Sequence, residues 1–222
     1  MTHRSLIIGA SGGIGRALVA RLQKDGSEVT AISRRADGLD ITDEASIRAA
    51  LERVKGEFQL ILVATGALEL NGIGPEKALK DLDASAMAAQ FAVNCIGPSL
   101  VMKHALHRLP RSSPACFAAL SARVGSIGDN RAGGWYSYRT AKAALNQMIH
   151  TAAIELKRTH PKAVCVALHP GTVATDLTAK FAGSHPTVTP AEAAQNLLSV
   201  LDGLGPADSG QFLDWQGARV EW

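Results

Sequence analysis

A chain of 222 residues supports one substantial hydrophobic core and is too short for two comfortable domains. Its composition is that of an ordinary globular protein, rich in alanine and glycine, with only 5% aromatic residues to supply bulk. The formal net charge of +3, with no block of basic residues, gives no support to nucleic-acid or membrane-surface binding.

The first apolar run, Ser5–Gly9, has strand length and is too short for a signal segment or a membrane span. Gly9-Ala10-Ser11-Gly12-Gly13-Ile14-Gly15 follows it and opens a helical stretch over Ile14–Lys24. Glycines there permit a tight turn and close backbone approach to a pyrophosphate, and the helix start offers free N–H groups and partial positive charge. With a strand before it and a helix after it, the loop reads as a dinucleotide cradle made by Gly9, Ser11, Gly12, Gly13, Ile14 and Gly15. Glu28–Ser33 is the second strand and Glu44–Val54 the next helix, followed by the continuous apolar strand Leu60–Ala64. A long helix is expected over Ala84–Leu109, a strand over Ala115–Ser121 and a helix over Tyr138–Arg158. Strand Ala163–His169, helix Ala191–Leu201 and strand Gln211–Asp214 complete the alternation. Short strands alternating with helices of ten or more residues imply βαβ units and a parallel sheet covered on both faces. The expected fold is a three-layer α/β, doubly wound Rossmann-type sheet in a single domain over residues 1–222. Cys95, Cys116 and Cys165 are far apart among apolar neighbours, which suggests reduced core residues, a cytoplasmic location and no metal site.

Tyr138-Arg139-Thr140-Ala141-Lys142 places a phenol and an ammonium four residues apart on one helix face. A fixed cation lowers a phenol's pKa, so the pair could donate or accept a proton near neutral pH. The same spacing also occurs on solvated helix faces. Tyr136 has Thr140 at the corresponding place and lacks that partner.

The glycine spacing Gly9-x-x-x-Gly13-x-Gly15 and the Tyr138/Lys142 pair resemble the short-chain dehydrogenase/reductase family. Further matches run along the chain. Asp40-Ile41 stand where the family contacts the adenine. Ala64-Thr65-Gly66 replace its usual Asn-Ala-Gly, and Asn94 matches its catalytic-site asparagine. Pro170-Gly171-Thr172-Val173-Ala174-Thr175 match its Pro-Gly-x-Val-x-Thr segment, which holds the nicotinamide amide. The resemblance implies that Tyr138 exchanges a proton with a carbonyl or alcohol oxygen. Lys142 lowers the tyrosine pKa and holds the nicotinamide ribose, while Asn94 supports a water that links Lys142 to solvent. By residue type alone Asn94 could equally pack or kink its helix.

Ser33-Arg34-Arg35 end the second strand where an acidic residue would accept from a ribose 2′-OH. A hydroxyl and two guanidiniums suit a 2′-phosphate, so NADP(H) is expected over NAD(H), with a solvated basic turn as the plain alternative. The hydroxyl that polarises the substrate is displaced. In Leu120-Ser121-Ala122-Arg123-Val124-Gly125-Ser126 the family's catalytic position carries Ala122. Ser121 is the first candidate and Ser126 the second; the third option is that no hydroxyl serves. The segment Ser121–Asn146 is similar to the branch of C-factor-like proteins and sniffer-type carbonyl reductases, with Trp135 and Arg131 expected either to line the substrate mouth or, equally, to pack its rim. Thr175–Thr189 is a short substrate cover whose bulky aromatic is Phe181. The implied activity is NADPH-dependent reduction of an aldehyde or ketone, or the reverse oxidation of an alcohol. An NAD(P)-binding regulatory protein is the alternative. The resemblance further implies a homodimer or homotetramer paired through the helices at Ala84–Leu109 and Tyr138–Arg158.

Overall fold

The computed structural model describes residues 3–180 and 186–222 of the chain. Six strands, β1 (Arg4–Ile8), β2 (Glu28–Ile32), β3 (Leu60–Val63), β4 (Ala115–Leu120), β5 (Ala163–His169) and β6 (Phe212–Asp214), form one parallel sheet. Their order is β2-β1-β3-β4-β5-β6, so the direction of winding reverses between β1 and β3. That reversal leaves a crevice outside the carboxyl ends of these two strands. Gly9, expected as the last residue of β1, turns out of the strand at φ +89°.

Both faces of the sheet are buried, because successive residues in each strand point to opposite sides. Leu6, Ile8, Ile61, Val63, Phe117, Ala119, Cys165 and Ala167 form one core with α3 (Glu44–Glu52), α5 (Gly97–Ala105) and α6 (Tyr136–Thr159). Ile7, Leu62, Ala118, Leu120, Val166 and Leu168 form the other with α1 (Gly13–Lys24) and α7 (Pro190–Asp202). Continuous apolar strands with no polar alternation therefore mark the sheet correctly.

Two elements differ from the sequence reading. After β2, where no element was expected, Arg34–Asp37 is a one-turn helix, α2, and Ser33 is its N-cap. The expected single helix Ala84–Leu109 is broken into α4 (Ala84–Phe91), a π-helical turn (Ala92–Ile96) and α5. Pro98 is the physical reason. It has no N–H to donate to the carbonyl of Asn94, and the Gly97 N–H bonds instead to Ala92, five residues back. By length and composition alone Ala84–Arg108 would pass for a membrane span, yet here α4 and α5 pack on α6, and α5 also packs on α3 and β3.

Candidate active site

The first part of the site lies at the start of α1. Gly12 is its N-cap and contributes no side-chain bond, the first turn holds no acid, and Arg21 and Lys24 occupy the last turn. The leading N–H groups and the positive end of the helix are thus left for an anion. The glycines are required by close approach as well. A Cβ on Gly15 would stand 2.2 Å from the Gly9 carbonyl oxygen, and one on Gly13 would stand 2.6 Å from the methyl of Thr175. This second contact brings the Pro170–Thr175 segment over the mouth of α1. Gly171 supplies the turn at φ +79°, with Trp215 3.1 Å from where its Cβ would be.

A dinucleotide fits the donor set around this cradle. The Thr65 hydroxyl oxygen is buried without a partner, and Thr65 packs against Gly9. Arg34 and Arg35 are exposed, and neither forms an ion pair among the described residues. Ser33 is buried and its hydroxyl accepts from the Ala36 N–H at 3.2 Å, so the two guanidiniums are presented by a capped turn. Asp40 accepts from the backbone and side chain of Thr42 at 2.9 and 2.7 Å, and these bonds hold its carboxyl below the usual range.

The second part is the buried face of α6, where Tyr138, Lys142 and Asn146 follow at intervals of four residues. Trp135 packs edge-on to Tyr138, with ring centroids 6.2 Å apart. Within the described residues the Tyr138 hydroxyl makes no hydrogen bond, and its ring borders a cavity of ≈ 130 Å³. Lys142 is 2% exposed; its ammonium donates to the Leu120 carbonyl at 2.9 Å and lies 5.8 Å from the Tyr138 ring centroid. Burial pulls the Lys142 pKa down to about 8, and the neighbouring Cys95 opposes this weakly. Burial raises the Tyr138 pKa above its ordinary value. The expectation that Lys142 lowers the tyrosine is thus corrected for the folded chain by itself: desolvation dominates, since the ammonium is aimed at a carbonyl.

The serines are placed differently from the expectation. Ser121 continues β4 on the α6 side and donates its hydroxyl to Asn146 at 2.6 Å. Asn146 lies eight residues beyond Tyr138, about 12 Å along the helix, and the Ser121 hydroxyl here ties the end of β4 to α6. Ser126, 2% exposed, accepts from the Asp129 N–H at 3.0 Å. Neither hydroxyl is bonded to Tyr138 among the described residues. Asn94 is fully buried on the π-helical turn, where its amide donates to the Ala67 carbonyl at 2.8 Å and to Gln90 at 2.7 Å. Its oxygen accepts from the Ala67 N–H at 3.2 Å. Both amide hydrogens hold protein partners, so the side chain clamps the loop after β3, and a water link to Lys142 would have to use another atom. Ala64, in place of the family's asparagine, keeps its backbone bond to Ile8 at 2.7 Å. The Phe181 expectation lies outside the described residues, and Arg131 bonds the Gly128 carbonyl on the surface.

Several working residues had no local signal. Glu76 is buried and accepts from the Ser137 N–H at 3.2 Å and from the Ser137 hydroxyl, so it caps α6 from 61 positions away. Arg139 ties Gly133, Gly134 and Val124 carbonyls to the same helix start. There Trp135 takes a left-handed φ of +54°, which a non-glycine residue adopts only under constraint. His169 has a buried, unpartnered Nδ1, and burial lowers its pKa to about 4, so it stays neutral near pH 7. Only Asn146 was recoverable from spacing, as the next four-residue step after Tyr138 and Lys142.

Comparison with known proteins places this geometry. The sequence model of a family described as enoyl-(acyl carrier protein) reductase matches residues 9–202. The chain is 32% identical to 1-hydroxy-2-glutathionyl-2-methyl-3-butene dehydrogenase of Rhodococcus sp. (strain AD45), over 98% of both chains. It is 38% identical to C-signal of Myxococcus xanthus over 65% of this chain and 84% of that one. Among solved structures, the NADPH-bound carbonyl reductase from chicken fatty liver superposes with a TM-score of 0.83. Identity to it is 26%, with 100% of this chain and 94% of that one covered.

Proposed function

The chain belongs to the short-chain dehydrogenase/reductase family, and from that premise we propose that it reduces an aldehyde or ketone with NADPH, reversibly oxidising the alcohol. The observation that carries this reading is the Tyr138/Lys142 pair at the carboxyl end of the sheet. It shares that edge with a glycine cradle over which Thr175 closes. The likeness to a carbonyl reductase that binds NADPH supports it.

When bound, the nicotinamide cofactor supplies the hydride, and the chain supplies placement and the proton. The backbone of Gly9, Ser11, Gly12, Gly13, Ile14 and Gly15 would hold the pyrophosphate, and Ser33, Arg34 and Arg35 the 2′-phosphate. Asp40 and Ile41 would border the adenine. Ala64, Thr65 and Gly66 would line the cofactor's path, and Pro170, Gly171, Thr172, Val173 and Thr175 would fix the nicotinamide end. A tyrosine kept protonated by burial is the proton donor that reduction requires, since the alkoxide left by hydride addition is far more basic than a phenol. Lys142, near 8, is charged at neutral pH yet close enough to it to return a proton to Tyr138. Asn94 acts by holding Ala67. Ser121 acts by bracing Asn146 on the lysine's own face, and Ala122 leaves the carbonyl without a strand-end hydroxyl.

NADPH oxidation over a panel of aldehydes and ketones tests this. Tyr138→Phe is expected to lower kcat by about 10²–10⁴-fold while NADPH affinity is retained. Cofactor binding without turnover of any carbonyl would overturn it in favour of a regulatory NAD(P)-binding protein. We also place the protein in the cytoplasm, where three buried, unpaired cysteines stay reduced. Self-association is part of the proposal, because Ile96, Met148 and Ile154 leave 49%, 42% and 56% of their surface exposed beside α5 and along α6. Light scattering that finds only monomer would refute that part.

A further inference from the structure

We infer that the site selects uncharged carbonyl compounds with a short side arm and rejects carboxylate-bearing ones, with Glu76 as the specificity-determining residue. This rests on the carbonyl-reductase reading above. The cavity of ≈ 130 Å³ beside Tyr138 lies between α4 and residues 70–76. That volume is slightly below the roughly 150 Å³ at which a cavity holds benzene, so the arm is limited to about the size of one ring or a four- to five-carbon chain.

The lining sets the chemistry. Leu70, Ile73, Pro75, Ala86 and Ala89 supply apolar walls, and Glu76 is the formal charge among the lining residues. Its carboxylate is 8% exposed as a residue and takes two hydrogen bonds from Ser137. A carboxylate offers about four acceptor sites, so capacity for a donor remains but none for a second anion. The acid bonded to the lining residue Ser85 has the same sign. Ser85, on the rim, donates its hydroxyl to Asp83 at 2.6 Å. Bonds from Ser85 and the Ala86 N–H hold that acid below its usual pKa, so it is ionised at neutral pH. A substrate anion entering here meets the buried Glu76 carboxylate at the wall, where little water screens it, and passes the exposed Asp83 behind Ser85, whose field the solvent screens.

Pentanal and 4-oxobutanoate are a suitable pair, an alkyl aldehyde and an aldehyde of similar length that ends in a carboxylate. For the wild type with NADPH, kcat/KM for pentanal should exceed that for 4-oxobutanoate at least tenfold. Glu76→Gln should shrink the ratio several-fold by raising the 4-oxobutanoate value. Because Glu76→Gln weakens the cap on α6, Ser85→Lys at the exposed rim is the second variant, and it should shrink the ratio in the same direction. A wild-type ratio within twofold of unity, or a ratio that neither variant moves, would overturn the inference. Should neither aldehyde be reduced, the reductase reading is left to the wider panel of aldehydes and ketones, and the inference is decided by binding. Isothermal titration would report dissociation constants for 1-pentanol and 4-hydroxybutanoate, and equal affinities would overturn it whereas tenfold weaker binding of the anion would uphold it.

Discussion

Replacing Lys142 with methionine should make the chain more resistant to unfolding near neutral pH while it impairs turnover. The ammonium is buried, and its pKa falls from the ordinary 10.5 to about 8. At about 1.4 kcal/mol per tenfold change in proton affinity, the folded state loses about 3 kcal/mol by keeping this group charged below pH 8. The sign follows from proton counting. Between pH 8 and 10.5 the unfolded chain binds a proton that the folded chain has released, so wild-type stability rises with pH through that window. Above 10.5 the penalty is gone. Methionine removes the penalty but leaves the Leu120 carbonyl without its donor, at a cost of about 1–3 kcal/mol. The net gain at pH 7 is therefore about 1 kcal/mol, or roughly 2–4 °C in Tm for a chain of this length. Urea or thermal unfolding of both proteins without cofactor, at half-unit steps from pH 7 to 10, reads the difference directly. The methionine advantage should fade by about 1.4 kcal/mol per pH unit above pH 8 and reverse by pH 10. A difference that stays constant with pH would refute the reasoning, because it would mean that Lys142 titrates alike in both states.

Arg34→Ala should weaken NADPH binding by about 10–100-fold, the range of a lost charge-assisted bond, and leave NADH affinity unchanged; equal losses for the two cofactors in isothermal titration would contradict a 2′-phosphate site. Ser121→Ala should cost about 1–3 kcal/mol of stability by leaving Asn146 unpaired in the core, with turnover within threefold of wild type. Abolished turnover in a folded Ser121→Ala protein would show that Ser121 is the catalytic hydroxyl after all. Ala122→Ser should raise kcat by about tenfold or more, since one well-placed donor to a developing oxyanion contributes up to about 10²–10³.

Much of the fold was readable because its causes are local. The strands Leu60–Val63 and Ala163–His169 are apolar at nearly every position, and this pattern suits only a sheet covered on both faces. Gly9, Gly13 and Gly15 sit where the backbone of β1 turns into α1, and a four-residue step puts Tyr138 and Lys142 on one face whatever the rest of the chain does. The break at Asn94 was also encoded locally, in Gly97-Pro98, but the apolar run around it masked the missing N–H.

What the sequence determined by itself is therefore the doubly wound sheet, the cradle at the start of α1 and the shared helix face of phenol and ammonium, all set by neighbours within a few positions. Only the tertiary structure decided that Glu76 caps α6 from 61 positions away and that Ser121 is spent on Asn146 across 25. It alone decided that burial perturbs both members of the pair, raising the tyrosine and lowering the lysine. Each of these depends on which distant groups exclude water from one another, and desolvation is a property of the packed site that no run of adjacent residues carries.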